Sequence, residues 1–169
     1  MPNWAIHLIV PLLALLIVSK KEDWKYILLL LPLAVVSDLD TFLTQHRALL
    51  HNMFIPVVFL ILGWKLREYR TVFLISAVYF ASHVVLDMFG GGVVLFYPFY
   101  DRMAFVNASL SIEQPINIIW TFEYGLIEYS PGWKNALGYI IDSPGTGALA
   151  FVLLAGICLL YRNRLKRNE

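Results

Sequence analysis

One cysteine, Cys158, is all that the chain contains. An internal disulfide is therefore excluded, and a lone thiol says nothing about redox compartment. Charge is almost as scarce: 13 basic and 12 acidic residues make up 15% of 169 positions, where an ordinary soluble domain carries about a quarter. The formal net charge of +1 leaves no basic excess, and no basic patch is interleaved with aromatics, so no nucleic-acid partner is expected. What fills the chain is apolar: 59% of residues are hydrophobic and the mean hydropathy is +0.68. That much apolar surface calls for lipid.

Long uninterrupted apolar runs are also lacking. Apolar stretches extend from Trp4 to Val18, Trp24 to Val36, Phe54 to Trp64, Thr71 to Leu86 and Gly147 to Tyr161. Several fall short of the roughly 20 residues of a full span. Helices continuing into flanking polar residues, a thinned bilayer, or a position partly in one leaflet would accommodate them. The first stretch has the length of a signal peptide, but Met1-Pro2-Asn3 offers no positive n-region and no small-residue cleavage site follows, so it is expected in the mature protein. The expected fold is an all-α integral membrane protein of about five transmembrane helices. It forms a single membrane domain over 1–169: a site-bearing core at 1–105, an outer interfacial segment at 106–146, and a last helix with a basic tail at 147–169.

Alternating passes make a pattern. With the amino terminus outside, the inner loops and tail hold Lys20, Lys21, Lys25, Lys65, Arg67, Arg70, Arg162, Arg164, Lys166 and Arg167, leaving Arg47, Arg102 and Lys134 outside. This is the positive-inside bias of a plasma-membrane protein with a cytoplasmic carboxyl terminus. The same topology brings His7, Asp38, Asp40, His46, His51, His83 and Asp87 to the outer ends of their helices. All four histidines of the chain are in that set. Ionisable groups in apolar segments are costly to bury and mark functional sites. Imidazole and carboxylate together are the mixed donor set that holds zinc and similar divalent ions, manganese included.

Spacing adds detail. His83 and Asp87 are four apart and share a helix face. His46 and His51, five apart, diverge by about 140° on a regular helix, so they straddle a helix start or serve different metals. Asp38 and Asp40 lie on one side of an extended segment; alternatively Ser37 caps a helix with Asp40 completing a capping box. Taken singly, each residue also has an ordinary reading: a buried histidine bonded to a carbonyl, carboxylates at a helix end, a headgroup contact for His46-Arg47. The set as a whole points to a metal site.

The order His7, Asp38-Leu39-Asp40, His46-Arg47-Ala48-Leu49-Leu50-His51, Ser82-His83-Val84-Val85-Leu86-Asp87, Gly90-Gly91-Gly92 and Leu95-Phe96-Tyr97-Pro98-Phe99 resembles the YdjM-type membrane-bound metal-dependent hydrolases over residues 5–105. The chain departs from that pattern with Ser37 before the acidic pair and with Leu50 and Asn52 flanking His51. The family is distantly similar to zinc-dependent phospholipases C and S1/P1-type nucleases. The resemblance implies phosphoester hydrolysis at one to three ions, with an activated water as nucleophile. It casts His7, Asp38, His51, His83 and Asp87 as ligands, Asp40 and His46 as ligands or general base, and Arg47 as a phosphate partner, a guanidinium fork matching phosphate oxygens. Arg102 could serve likewise, but with Asp101 beside it, it reads better as a headgroup or carboxylate partner.

Beyond Phe89 the chain is unlike an ordinary loop. Gly90-Gly91-Gly92 reads as a turn and Val93 to Phe99 as a short strand or interfacial segment. Trp120, Phe122, Tyr124, Tyr129, Trp133 and Tyr139, mixed with Glu113, Glu123, Glu128 and Asp142, suit the headgroup level of a bilayer. They suggest a lid or interfacial helix over the site and an amphiphilic substrate such as a phospholipid or lipid-linked phosphate; a structural cap explains them equally well. Asn107-Ala108-Ser109 fits a glycosylation sequon, a weak pattern. Two other function classes remain: a non-catalytic metal-binding membrane scaffold or regulator, and a metal or ion transporter. The transporter is disfavoured because no inverted repeat is visible and the polar residues gather at one end.

Overall fold

The structure, a computed structural model, describes residues 3–43, 46–113, 117–130, 140 and 143–166. Helix α1 spans Trp4–Val18 and opens on Asn3, whose Oδ1 accepts the Ala5 N–H at 3.1 Å, supplying one of the partners a helix start lacks. After a 3-10 turn at Lys21–Asp23, α2 (Trp24–Leu30) runs back toward the site. Leu31-Pro32 interrupts it, since proline cannot donate to the helical ladder. The chain resumes as α3 (Leu33–Val36) and tightens into a 3-10 stretch over Ser37–Leu43. Irregular turns from His46 to Met53 lead into α4 (Phe54–Lys65). There Asn52 Oδ1 accepts the N–H groups of Phe54 and Ile55 at 3.0 and 3.3 Å. Helix α5 (Arg70–Phe89) follows, then a hairpin of β1 (Arg102–Glu113) and β2 (Asn117–Glu128), and last α6 (Pro144–Lys166).

The helices meet through one apolar cluster of Leu12, Leu15, Leu16, Trp24, Ile27, Ala34, Ile75 and Tyr79. Fully burying a large apolar side chain contributes about 1.5–3 kcal/mol. The spacing of Ile75, Tyr79, Phe80, His83, Val84 and Asp87 gives α5 one continuous buried face. Toward one end that face is core and toward the other it is polar. Tyr79 locks α5 to α2 by donating its hydroxyl to the Ile27 carbonyl at 2.8 Å.

This architecture corrects the all-α five-span bundle. Among the described residues three helical runs are long and apolar enough to cross a membrane: Lys21–Leu43, Arg67–Phe89 and Pro144–Tyr161. Helix α1, with 15 residues, and α4, with 12, reach about 22 and 18 Å at 1.5 Å per residue, short of a hydrocarbon layer about 30 Å thick. Nor is the chain all-α. Arg102–Glu128 is an antiparallel hairpin in which Asn107 stands opposite Glu123, Phe105 opposite Gly125 and Met103 opposite Ile127. A hairpin and not the expected interfacial helix forms over that stretch, for a reason visible in the residues. From Trp120 to Tyr124 aromatics alternate with Thr121 and Glu123 at period two, and β-branched Ile118, Ile119 and Ile127 flank them, which suits a pleated strand and not a helix.

Smaller expectations also change. Val93 to Phe99 is not a strand; Val93 makes an isolated bridge to Ala104 and Leu95 to Phe99 is turn. Asp38 and Asp40 lie neither on an extended segment nor in a capping box but on the 3-10 stretch, which turns both inward while Leu39 stays half exposed. His46 and His51 sit in turns, so helical angles do not apply to them. Trp133, Lys134, Tyr139, Asp142 and Arg167 lie outside the described residues.

Candidate metal centre

Four segments converge at one end of the helices. α1 brings His7, the 3-10 stretch brings Asp38 and Asp40, the turns before α4 bring His46, Arg47 and His51, and the last two turns of α5 bring His83 and Asp87. All eight are 0–3% exposed. The opposite ends carry Lys20, Lys21, Lys65, Arg67 and Arg70; Arg70 is separated from Asp87 by the length of α5, about 26 Å.

Four donor atoms face a common point: Asp38 Oδ1, His51 Nε2, His83 Nε2 and Asp87 Oδ2. His51 Nε2 lies 3.0 Å from His83 Nε2, 3.5 Å from Asp38 Oδ1 and 3.0 Å from Asp87 Oδ2. His83 Nε2 lies 3.4 Å from Asp38 Oδ1 and 3.7 Å from Asp87 Oδ2. A tetrahedron with vertices about 2.0–2.1 Å from its centre has edges of about 3.3 Å, in the middle of the observed range. No carboxylate oxygen of Asp38 or Asp87 makes a well-formed hydrogen bond among the described residues, although all are buried. Such orphaned buried oxygens are rare in native proteins. These four residues thus form a buried His/Asp group able to hold a metal ion.

Outer partners set the tautomers. His83 Nδ1 lies 2.6 Å from the Ala34 carbonyl, a pure acceptor, so Nδ1 carries the proton and Nε2 presents its lone pair inward. Ala34 lies in α3, too short for its carbonyls to find partners within the helix. His51 Nδ1 likewise donates to Asp40 Oδ2 at 2.8 Å, freeing its Nε2. Two lone pairs facing each other at 3.0 Å repel unless a proton or cation lies between them. Burial lowers the His51 pKa, but Asp38, Asp40 and Asp87 outweigh it and hold the imidazolium well above the ordinary histidine value.

Asp40 faces the ring edges of two histidines. Its Oδ2 also accepts the Leu50 N–H at 3.2 Å, and its Oδ1 accepts from His46 Nδ1 at 2.9 Å. Asp40, His46 and His51 also lie close enough together to count as a second possible ion-holding group. Since His51 Nε2 already points at the first group, Asp40 here is best described as the carboxylate that orients both rings. His46 Nε2 is buried without a hydrogen-bond partner. His7 stands beside the tetrahedron: its Nε2 is 3.3 Å from Asp87 Oδ1, and its ring packs on His83 with centroids 4.2 Å apart.

Arg47 is fully buried in a left-handed backbone conformation, φ 68°. Its Nη1 donates to the carbonyls of Asp87 and Gly92 at 3.2 and 2.9 Å, tying down the carboxyl end of α5 where a cation is favoured. Its Nη2 is 3.9 Å from Asp87 Oδ1, and its Nε and Nη2 have no hydrogen-bond partner. Arg102 is exposed at the foot of the hairpin, away from this group. The outer wall is thin at Gly90, where a Cβ would meet Arg47 Nη2 at 3.3 Å and Asp87 Oδ1 at 3.6 Å. Gly90 and Gly91 also line an open cavity of about 460 Å³ between α5 and the hairpin.

Sequence reasoning missed Ala34, whose contribution is a backbone carbonyl and carries no side-chain signal. It also missed two supports of His46: Thr41 Oγ1, 3.0 Å from His46 Nδ1, and the Tyr129 hydroxyl, which donates to the His46 carbonyl at 3.4 Å. Compared with known protein families, curated proteins and solved structures, the chain matches none of them.

Proposed function

We propose that this chain is a membrane-embedded, divalent-metal-dependent hydrolase of YdjM type, acting on a phosphoester carried by an amphiphile such as a phospholipid or lipid-linked phosphate. The observation that carries the reading is the inward convergence of Asp38, His51, His83 and Asp87, with Nδ1 of both imidazoles taken up by an acceptor, so that Nε2 is the nitrogen left to bind a metal when any proton on it is released. A divalent ion there, zinc before manganese for this donor set, supplies Lewis acidity and an activated water. The side chains supply the rest. Asp40 and Ala34 orient the two histidines, and His46, held by Asp40, has a free Nε2 able to take a proton. Arg47, with Nε and Nη2 to spare beside the thin wall at Gly90, is placed to receive a phosphate oxygen. The three span-length helices support a membrane location. The basic residues gathered at the end remote from the site support a cytoplasmic position for that end and an outward-facing site.

A specific observation favours a second reading, that of a non-catalytic metal-binding scaffold. Four protein donors within 4.8 Å of one another suffice to fill a tetrahedral shell, the pattern of structural zinc, and all four are buried. Metal analysis of the purified protein beside His83→Ala and Asp87→Ala comes first. About one or more equivalents in the wild type, lost in both variants, supports the centre; a folded wild type that takes up no added metal overturns both readings. With metal present, chelator-sensitive hydrolysis of a phosphodiester or phospholipid identifies the enzyme. Its absence against a panel of such esters identifies the scaffold.

A further inference from the structure

The hairpin has two unlike faces. Ile118, Trp120, Phe122, Tyr124 and Leu126 alternate along β2 and share one face, and all are more than half exposed. Residues directly opposite in an antiparallel pair share a face. The register therefore adds Ala104, Val106 and Ala108 from β1, opposite Leu126, Tyr124 and Phe122. None of these eight is charged. The other face carries Asn107, Ser109, Thr121 and Glu123, all exposed, with Ser109 Oγ hydrogen-bonded to Thr121 Oγ1. Nearer its base the hairpin is anchored by Met103, buried against Ala48 and Val94 beside Arg47. A two-stranded hairpin with a bare apolar face is marginal at best in water, and an apolar patch of this kind marks an interaction surface.

We infer that the apolar face of this hairpin lies in the interfacial layer of the lipid bilayer, with Trp120, Phe122 and Tyr124 among headgroups and upper acyl chains and the Asn107/Glu123 face in water. Continuity selects lipid as the occupant. The face runs into Met88 at the end of the span-length helix α5 through an apolar groove of about 740 Å³, lined also by Phe122, Tyr124 and Leu126. Trp and Tyr are the residues favoured at that depth.

The inference rests on reading the long helices as membrane spans, and the test separates the two. In a Cys158→Ser background, single nitroxide labels are placed by Thr121→Cys, Phe122→Cys, Glu123→Cys, Tyr124→Cys and, on the exposed flank of α6, Val152→Cys, with the protein in lipid nanodiscs. Circular dichroism checks the fold of each. Labels at 122 and 124 are expected to collide preferentially with oxygen and those at 121 and 123 with a water-soluble nickel chelate, a several-fold alternation of period two. Equal nickel accessibility at all four hairpin positions overturns the inference. So does protection of 122 and 124 from both reagents with spin–spin broadening, which would mean that a second copy covers the face. Oxygen access at 152 beside a water-exposed 122 defeats the hairpin alone, whereas nickel access at 152 defeats the membrane reading itself.

Discussion

Replacing Asp40 with asparagine tests the central geometry most directly. The Asp40 carboxylate accepts three hydrogen bonds: from His51 Nδ1 at 2.8 Å, from His46 Nδ1 at 2.9 Å and from the Leu50 N–H at 3.2 Å. The asparagine side chain has the same shape but one acceptor oxygen and one donor nitrogen. If the oxygen keeps His51 and Leu50, the amide N–H₂ confronts the N–H of His46; if it turns round, it confronts that of His51. One histidine must give up its tautomer or its bond. A hydrogen bond to a charged group contributes about 1.5–3 kcal/mol, so the metal-free protein should lose about that much stability. Where His51 is the one to flip, its Nε2 carries a proton into the tetrahedron. Loss of a carboxylate behind a ligating histidine costs about 10–100-fold in metal affinity, which is about 1.4–2.8 kcal/mol. The assay is zinc competition against a chromophoric chelator in detergent, with Asp38→Asn alongside. Asp40→Asn should weaken zinc binding by that factor while retaining stoichiometry, and Asp38→Asn should abolish it. Equal, complete loss in both would make Asp40 a direct ligand and refute the orienting role; unaltered affinity in Asp40→Asn would refute it from the other side.

Other consequences follow from the same contacts. Because His51 is held well above its ordinary pKa, the metal-free protein keeps a proton there at neutral pH. Metal uptake should release about one proton, measurable by calorimetry in buffers of different ionisation enthalpy; uptake without release would contradict the shift. Tyr129 has its phenol pushed up to about 12 by burial and then by the charge of Asp40 and by Tyr97. A raised folded pKa contributes stability that is intact below the unfolded value of about 10 and lost as pH climbs toward the folded value. Wild type should therefore lose stability across that window more than Tyr129→Phe does, and a difference titration of phenolate absorbance between the two should show this group ionising above the ordinary tyrosine value. Gly92 sits at φ +100°, and an added Cβ would lie 3.1 Å from the Ala104 carbonyl oxygen. Gly92→Ala should cost about 1–3 kcal/mol, read as a lowered Tm, and an unchanged Tm would show that the turn relaxes freely.

The apolar character of the helices and the membership of the site were legible along the chain for simple reasons. An excess of apolar residues is additive and needs no geometry to recognise, and histidines and aspartates in apolar stretches stand out against their surroundings. All seven residues singled out for the metal site, together with Arg47, come together at one end of the helices. What each one touches was not legible, because that depends on the path of the backbone between them. Pro32 and the 3-10 stretch after it turn Asp38 and Asp40 to the same side, and the left-handed backbone at Arg47 folds His46 and His51 into one turn. Counting five spans failed at α1 and α4, because both runs were short and their helices end at Ser19 and Leu66 instead of continuing into the flanking polar residues. The hairpin was missed because aromatics were weighed by composition and not by their period of two along β2. Composition and residue type, set by the sequence alone, determined that a metal-capable His/Asp group would be built in an apolar protein. Only the tertiary structure decided that Asp38, His51, His83 and Asp87 face one point while Asp40 stands behind the rings. Selection among donors a few ångströms apart comes from packing and the partners of each ring nitrogen, which no linear spacing encodes.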